Sequence, residues 1–67
     1  PSGANEKVTI RCAEEIQYIF VYDMNGARVV HTQNNEISVQ NLPDGMYVAV
    51  VKTKSGSLKS ARFIVRK

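Results

Sequence analysis

The chain is short of most of what an active site is built from. It has one cysteine, one histidine and no tryptophan. A lone cysteine excludes an internal disulfide and a cysteine-based zinc cluster. No apolar run approaches the ~20 residues that span a bilayer as a helix, and no basic start leads into an apolar core of the signal-peptide kind. No stretch sustains helical periodicity, and there is no internal repeat or low-complexity segment. With 67 residues there is material for one domain at most. A sheet protein of this size buries about 60% of the surface its unfolded chain exposes, so its stability is modest.

Acidic charge is missing from the last third. Glu6, Glu14, Glu15, Asp23, Glu36 and Asp44 all precede residue 45, whereas Lys52, Lys54, Lys59, Arg62, Arg66 and Lys67 follow residue 51. Residues 1–51 hold three basic and six acidic side chains, net −3; residues 52–67 hold six basic and no acidic ones, net +6. Such asymmetry marks an acidic partner, an anionic membrane surface or nucleic acid. It equally fits a solvated hairpin whose outward lysines discourage edge pairing.

What is present is β-strand chemistry. Phe20 to Val30 holds two β-branched and aromatic runs joined by Asp23-Met24-Asn25-Gly26, and we place this hairpin at the centre of the fold. Two turns suit it. One is a type I turn closed by Gly26 at positive φ, with the Asp23 carboxylate accepting from turn N–H groups. The other is a tighter Asn25-Gly26 turn that pairs Asp23 with Arg28. Around it, Lys7–Ala13 alternates with Val8, Ile10 and Cys12 on one side. Ile16–Tyr22 is apolar on both faces, which marks a central strand or a covered outer side. Ala27–Thr32, Glu36–Gln40, Met46–Thr53 and Leu58–Arg66 complete the set. Pro43-Asp44-Gly45 is a strong turn signal, and Pro1 to Asn5 reads as loose. Six or seven short strands with turns at intervals of about ten residues predict an all-β sandwich of antiparallel strands. The predicted inward set is Val8, Ile10, Cys12, Ile19, Val21, Val29, Ile37, Val39, Leu42, Tyr47, Ala49, Val51, Phe63 and Val65. The Tyr47 hydroxyl is expected to reach a loop carbonyl.

Candidate chemistry is thin. A cysteine nucleophile needs an electropositive, partly exposed site; Cys12 shares a face with Val8 and Ile10 and reads as a small buried hydrophobe. His31 sits among polar neighbours without further metal ligands nearby and reads as solvated. Glu14 and Glu15 are consecutive and point apart on an extended chain, so they form no two-carboxylate site. Tyr18, Phe20 and Tyr22 share one face. That stripe can stack bases or sugars, wall a core, or meet another domain. The Gly-aromatic signature of RNA-recognition sheets is missing. No catalytic, cofactor-binding or metal-ligating residue is expected.

Three motifs in order carry a resemblance: Tyr22-Asp23-Met24-Asn25-Gly26-Ala27-Arg28-Val29, then Leu42-Pro43-Asp44-Gly45-Met46-Tyr47-Val48, then Ser60-Ala61-Arg62-Phe63-Ile64-Val65-Arg66-Lys67. Together they resemble the type A C-terminal sorting domain of type IX secretion cargo. That family has a Tyr-Asp-x-x-Gly-x-x-Val hairpin, a Leu-x-x-Gly-x-Tyr turn entering a strand, and a basic, apolar last strand. Its usual Pro-Asn-Pro-like opening is only partly matched by Pro1-Ser2-Gly3. The resemblance implies an immunoglobulin-like β-sandwich, residues 1–67, excised from the end of a longer exported protein of Bacteroidota. It implies a non-catalytic address label without cofactor. Its cargo crosses the inner membrane by an ordinary signal peptide. The label is then recognised in the periplasm, passes with its cargo through the outer-membrane translocon and its shuttle proteins, and meets a sortase at the surface. It is finally cut off as the cargo joins the cell surface.

For such a label, strand addition along an open edge is a ready mode of recognition, with Leu58 to Lys67 as that edge and its charge steering it to an acidic receptor. The expected recognition residues are Lys59, Arg62, Ile64, Arg66 and Lys67, with Asp23, Asn25 and Arg28 as a second exposed cluster. Gly26, Pro43 and Gly45 serve the turns. An open edge also predicts a homodimer. Two other readings compete: an immunoglobulin-like accessory module that binds carbohydrate or spaces domains of a surface enzyme, and a nucleic-acid-binding sheet, whose affinity would fall steeply with salt.

Overall fold

A computed structural model describes residues 7–66; Pro1 to Asn5 and Lys67, singled out above, lie outside them. Six antiparallel strands form: β1 (Lys7–Thr9), β2 (Ile16–Tyr22), β3 (Arg28–Thr32), β4 (Glu36–Ser38), β5 (Gly45–Thr53) and β6 (Leu58–Val65). β1 pairs with β4, and the other four form a sheet in the order β3-β2-β5-β6. This is a small β-sandwich with no helix among the described residues. β2 lies inside the four-stranded sheet, as its two apolar faces predict, but its hairpin mate β3 is an edge. β6 is the other edge.

Alternation along the two inner strands makes the core. Tyr47, Ala49, Val51 and Thr53 of β5 and Ile19 and Val21 of β2 are buried. Ile37, Val39 and Leu42 from the β4 side close over them, with Val65 at the end of β6. Val8, Ile10, Ile16, Val30 and Phe63 are partly buried against this cluster. Period-two alternation therefore identifies almost the whole core, and two β-bulges account for its errors. Val21 pairs with Val30 and Tyr22 with Arg28, so Val29 is the extra residue. A bulge sets two residues against one and reverses the facing beyond it. Val29, expected inside, is therefore 39% exposed, and Val30 takes its place. A second bulge, between Ile16 and Tyr18 opposite β5, turns Ile16 inward while Tyr18 stays outside.

Two other expectations need correction. Residues 10–15 do not continue β1, although the Ile10 N–H donates to the Asn35 carbonyl at 2.7 Å. Cys12 is half-buried rather than buried. Of the residues between β4 and β5, the hydrogen-bonded turn runs from Val39 to Leu42, whose N–H donates to the Val39 carbonyl at 3.1 Å. It precedes Pro43 instead of containing it. Pro43 has another use: its carbonyl accepts from the Tyr47 hydroxyl at 2.6 Å. A tyrosine at the start of a strand bonding back to the preceding corner is a known device of β-sandwiches.

Both hairpin turns of the large sheet are built alike. The Gly26 N–H donates to the Asp23 carbonyl at 3.0 Å and the Asp23 N–H to the Ala27 carbonyl at 2.9 Å. The Gly56 N–H donates to Thr53 at 3.0 Å and the Thr53 N–H to Ser57 at 2.9 Å. Gly26 has φ of 87° and Gly56 of 99°, where a side chain is strained. Asn25 has no positive φ, so the tighter Asn-Gly turn is excluded and the type I form stands.

Candidate recognition surface

The smaller sheet covers one face of the four-stranded sheet and leaves the other open. The molecule is only 15 Å through its thinnest dimension, which leaves no room for a third layer, since packed sheets alone stand about 10 Å apart. The strand registers make the open face a grid. Arg28, Tyr22, Val48 and Arg62 lie in one row across β3, β2, β5 and β6. His31, Phe20, Val50 and Ser60 form the next row. Tyr18, Lys52 and Leu58 follow on one side, and Met46 with Ile64 on the other.

The aromatic stripe is thus a solvent-side feature, not a core wall. Its rings are half-buried because they cover one another. Tyr18 and Phe20 stand 4.7 Å apart at 39°, and Phe20 and Tyr22 6.4 Å apart at 67°. The His31 ring lies 4.6 Å from Phe20, tilted by 49°, so this exposed histidine packs against the stripe as well as meeting solvent. Cations complete the cover. The Arg28 guanidinium sits 4.7 Å from the Phe20 centroid and the Lys52 amine 5.9 Å from that of Tyr18. Such contacts are favourable because the ring face is electron-rich. No strand of this sheet contains an aspartate or glutamate.

The residues expected to act in recognition divide between surfaces. Lys59, Arg62, Ile64 and Arg66 are all exposed, but they do not share a face. Arg62 and Ile64 pair with Val48 and Met46 on the open face, whereas Lys59 pairs with the buried Val51 and points to the other side. Asp23 is occupied by its turn: its Oδ1 accepts the Asn25 and Ala27 N–H groups, each at 2.9 Å. Asn25 is exposed at the tip. Arg28 is carried to the open face by the Val29 bulge. The sequence reading missed Val48, Val50, Lys52, Met46 and Leu58 as members of one surface. The available signal was a count of strands: once β1 and β4 cover one face, no strand remains among the described residues to cover the other.

On the far side, Cys12 lines an open depression of about 540 Å³ between residues 10–16 and 33–35. His31 does not line it, so the two do not pair there. Among the described residues no cluster of His, Cys, Asp or Glu is arranged to hold a metal ion. One carboxylate is perturbed. Ser55 Oγ donates to Glu14 Oε1 at 2.7 Å, and this bond, helped by Thr53, holds the exposed Glu14 carboxyl below its usual range. The effect belongs to the second hairpin turn.

A family model for the secretion system C-terminal sorting domain matches residues 1–66. The chain belongs to that family. No curated protein and no solved structure gives a match. This sorting domain is therefore a type IX secretion signal, which directs export toward the outer membrane or cell surface and engages the secretion machinery. Its three sequence motifs map onto the first hairpin turn, the Tyr47 corner and the β6 edge.

Proposed function

We propose that this sorting domain is a non-catalytic address label. It engages the translocon and its shuttle in the periplasm, carries its cargo across the outer membrane, and is removed by a sortase as the cargo is attached to the surface of a Bacteroidota cell. The observation that carries the reading is the family match over residues 1–66. Recognition uses Lys59, Arg62 and Ile64 of β6, with Arg66 and Lys67 that follow it in sequence, and the β2–β3 end of the sheet, with Asn25 and Arg28. A label read on many unrelated cargoes must fold on its own, and a self-contained core with an open edge suits that task.

The test is a secretion assay. The chain is fused behind a signal peptide and a folded fluorescent cargo in a host with the type IX system, beside a fusion lacking Phe63 to Lys67. Surface cargo with the domain clipped off, from the intact fusion alone, supports the reading. Periplasmic retention of both, while an established sorting domain works in parallel, rejects it. The open edges of β3 and β6 also predict a concentration-dependent dimer of the isolated chain. Sedimentation that finds one monomeric species over a wide concentration range would refute that expectation.

A further inference from the structure

We infer that the open face of the four-stranded sheet docks a protein surface whose carboxylates surround an apolar patch. The inference rests on the sorting-signal reading and assigns to it a face rather than an edge. Three observations carry it.

The first is charge. Arg28, Lys52 and Arg62 stand on this face, and none of them has a carboxylate partner among the described residues. The sheet has no acidic side chain of its own. Arg28 and Arg62 end the same row on opposite edges, three strand spacings or about 14 Å apart. The complement is a surface with carboxylates at a similar separation.

The second is apolar content. Between the cations lie Tyr22, Phe20, Val48 and Val50, and at the rim Leu58 is 66% exposed, Ile64 56% and Met46 37%. Contiguous exposed apolar surface of this kind marks a protein contact.

The third observation separates this occupant from two others. A sugar or base stacks on a flat ring left bare. Here the rings are mutually tilted by 39° and 67°, and Phe20 is already covered by His31 and Arg28. A second copy docking face to face would set arginine and lysine against arginine and lysine.

Face docking and strand addition at β6 make different demands. Lys52 lies on β5, inside the sheet, and Arg28 lies on the opposite edge. Neither is reached by a strand added to β6.

The experiment measures export of the fluorescent fusion carrying Lys52→Glu, Arg28→Glu or Arg62→Glu, with Arg11→Glu as a distant charge reversal and a melting curve for each. Arg62 is exposed and, unlike Arg28 and Lys52, has no ring contact among the described residues, so its reversal is the variant least expected to disturb the fold. The expected result is a loss of about tenfold or more for each face variant, with melting unchanged for Arg62→Glu and lowered only slightly for Lys52→Glu and Arg28→Glu, which lose a cation–ring contact, against less than about twofold for Arg11→Glu. Parental export by Lys52→Glu and Arg28→Glu overturns the inference while leaving the sorting reading standing. Should the parent fusion itself stay in the periplasm beside a working control, the sorting reading fails. The face is then judged by amide-shift titration of the 67-residue chain. The probes are a synthetic peptide with glutamates flanking a Leu-Phe core, a heparin fragment and a single-stranded oligonucleotide. Shifts at Tyr22, Val48 and Arg62 with the peptide, weakening with salt, support the inference. Shifts there only with heparin or oligonucleotide, or no shifts there at all, overturn it.

Discussion

The two hairpin turns of the large sheet share a backbone and differ in what holds it. In the β2–β3 turn an aspartate stands first, and one exposed carboxylate oxygen accepts the Asn25 and Ala27 N–H groups. In the β5–β6 turn a threonine stands first and is fully buried. The Ser57 N–H donates to Thr53 Oγ1 at 3.0 Å. Thr53 Oγ1 lies 3.0 Å from Ser55 Oγ, and the Ser55 proton is committed to Glu14. The Thr53 hydroxyl is left to donate to Ser55 Oγ at 3.0 Å or to the Ser57 carbonyl at 3.4 Å, so the buried side chain ties together the turn backbone, Ser55 and, through Ser55, the Glu14 carboxylate. The same turn is tied again where the Lys54 N–H donates to the Glu15 carbonyl at 2.9 Å. A Lys54–Glu15 ion pair at 3.3 Å adds to it, though exposed pairs contribute little. One turn is thus self-sufficient and free at its tip. The other is docked on the β1–β2 connection and depends on it.

The sharpest way to break this comparison is Thr53→Val. It leaves the Ser57 N–H and Ser55 hydroxyl without their buried partner and is expected to cost about 2–3 kcal/mol in urea unfolding. Gly26→Ala and Gly56→Ala come next. Neither added Cβ meets an atom within 4 Å, so the cost is backbone strain alone, about 1–2 kcal/mol, and the two should agree. A large inequality would mean that the turns are not equivalent. Asp23→Ala is expected to cost about 1 kcal/mol, because water replaces the acceptor for two exposed N–H groups. Glu14→Gln should have the smallest effect, and its signature is pH. A carboxyl held below its usual range adds stability above that range and loses it as pH falls through the lowered value. The melting temperatures of parent and variant should therefore converge on acidification, their difference closing as pH falls through the lowered value.

What could be read from the chain follows the range of each interaction. Asp23, Asn25 and Gly26 lie within one turn, so their roles were legible from spacing. So was the reach of Tyr47 to a loop carbonyl four residues back. The core was legible wherever alternation ran unbroken, as at Tyr47, Ala49 and Val51. It failed at Val29 and Ile16, because a bulge is a property of two paired strands and leaves no mark on either alone. The link from Ser55 to Glu14 spans 41 residues and has no local signal at all. The aromatic stripe was visible as a stripe. Its exposure was not, since that depends on how few strands remain to cover it.

The strand order has a consequence for synthesis. β5 lies between β2 and β6, so the sheet is completed by the last of its own strands to be synthesised. Until Val65 has emerged, one margin of β5 has no partner, and Tyr47 lacks the Phe63 ring that stacks on it at 5.8 Å. Without β6 the four-stranded sheet stays open along β5, however well the other strands pair. The sheet therefore closes from its last strand backward, and β6 acts as the latch of the fold rather than as an addition to it.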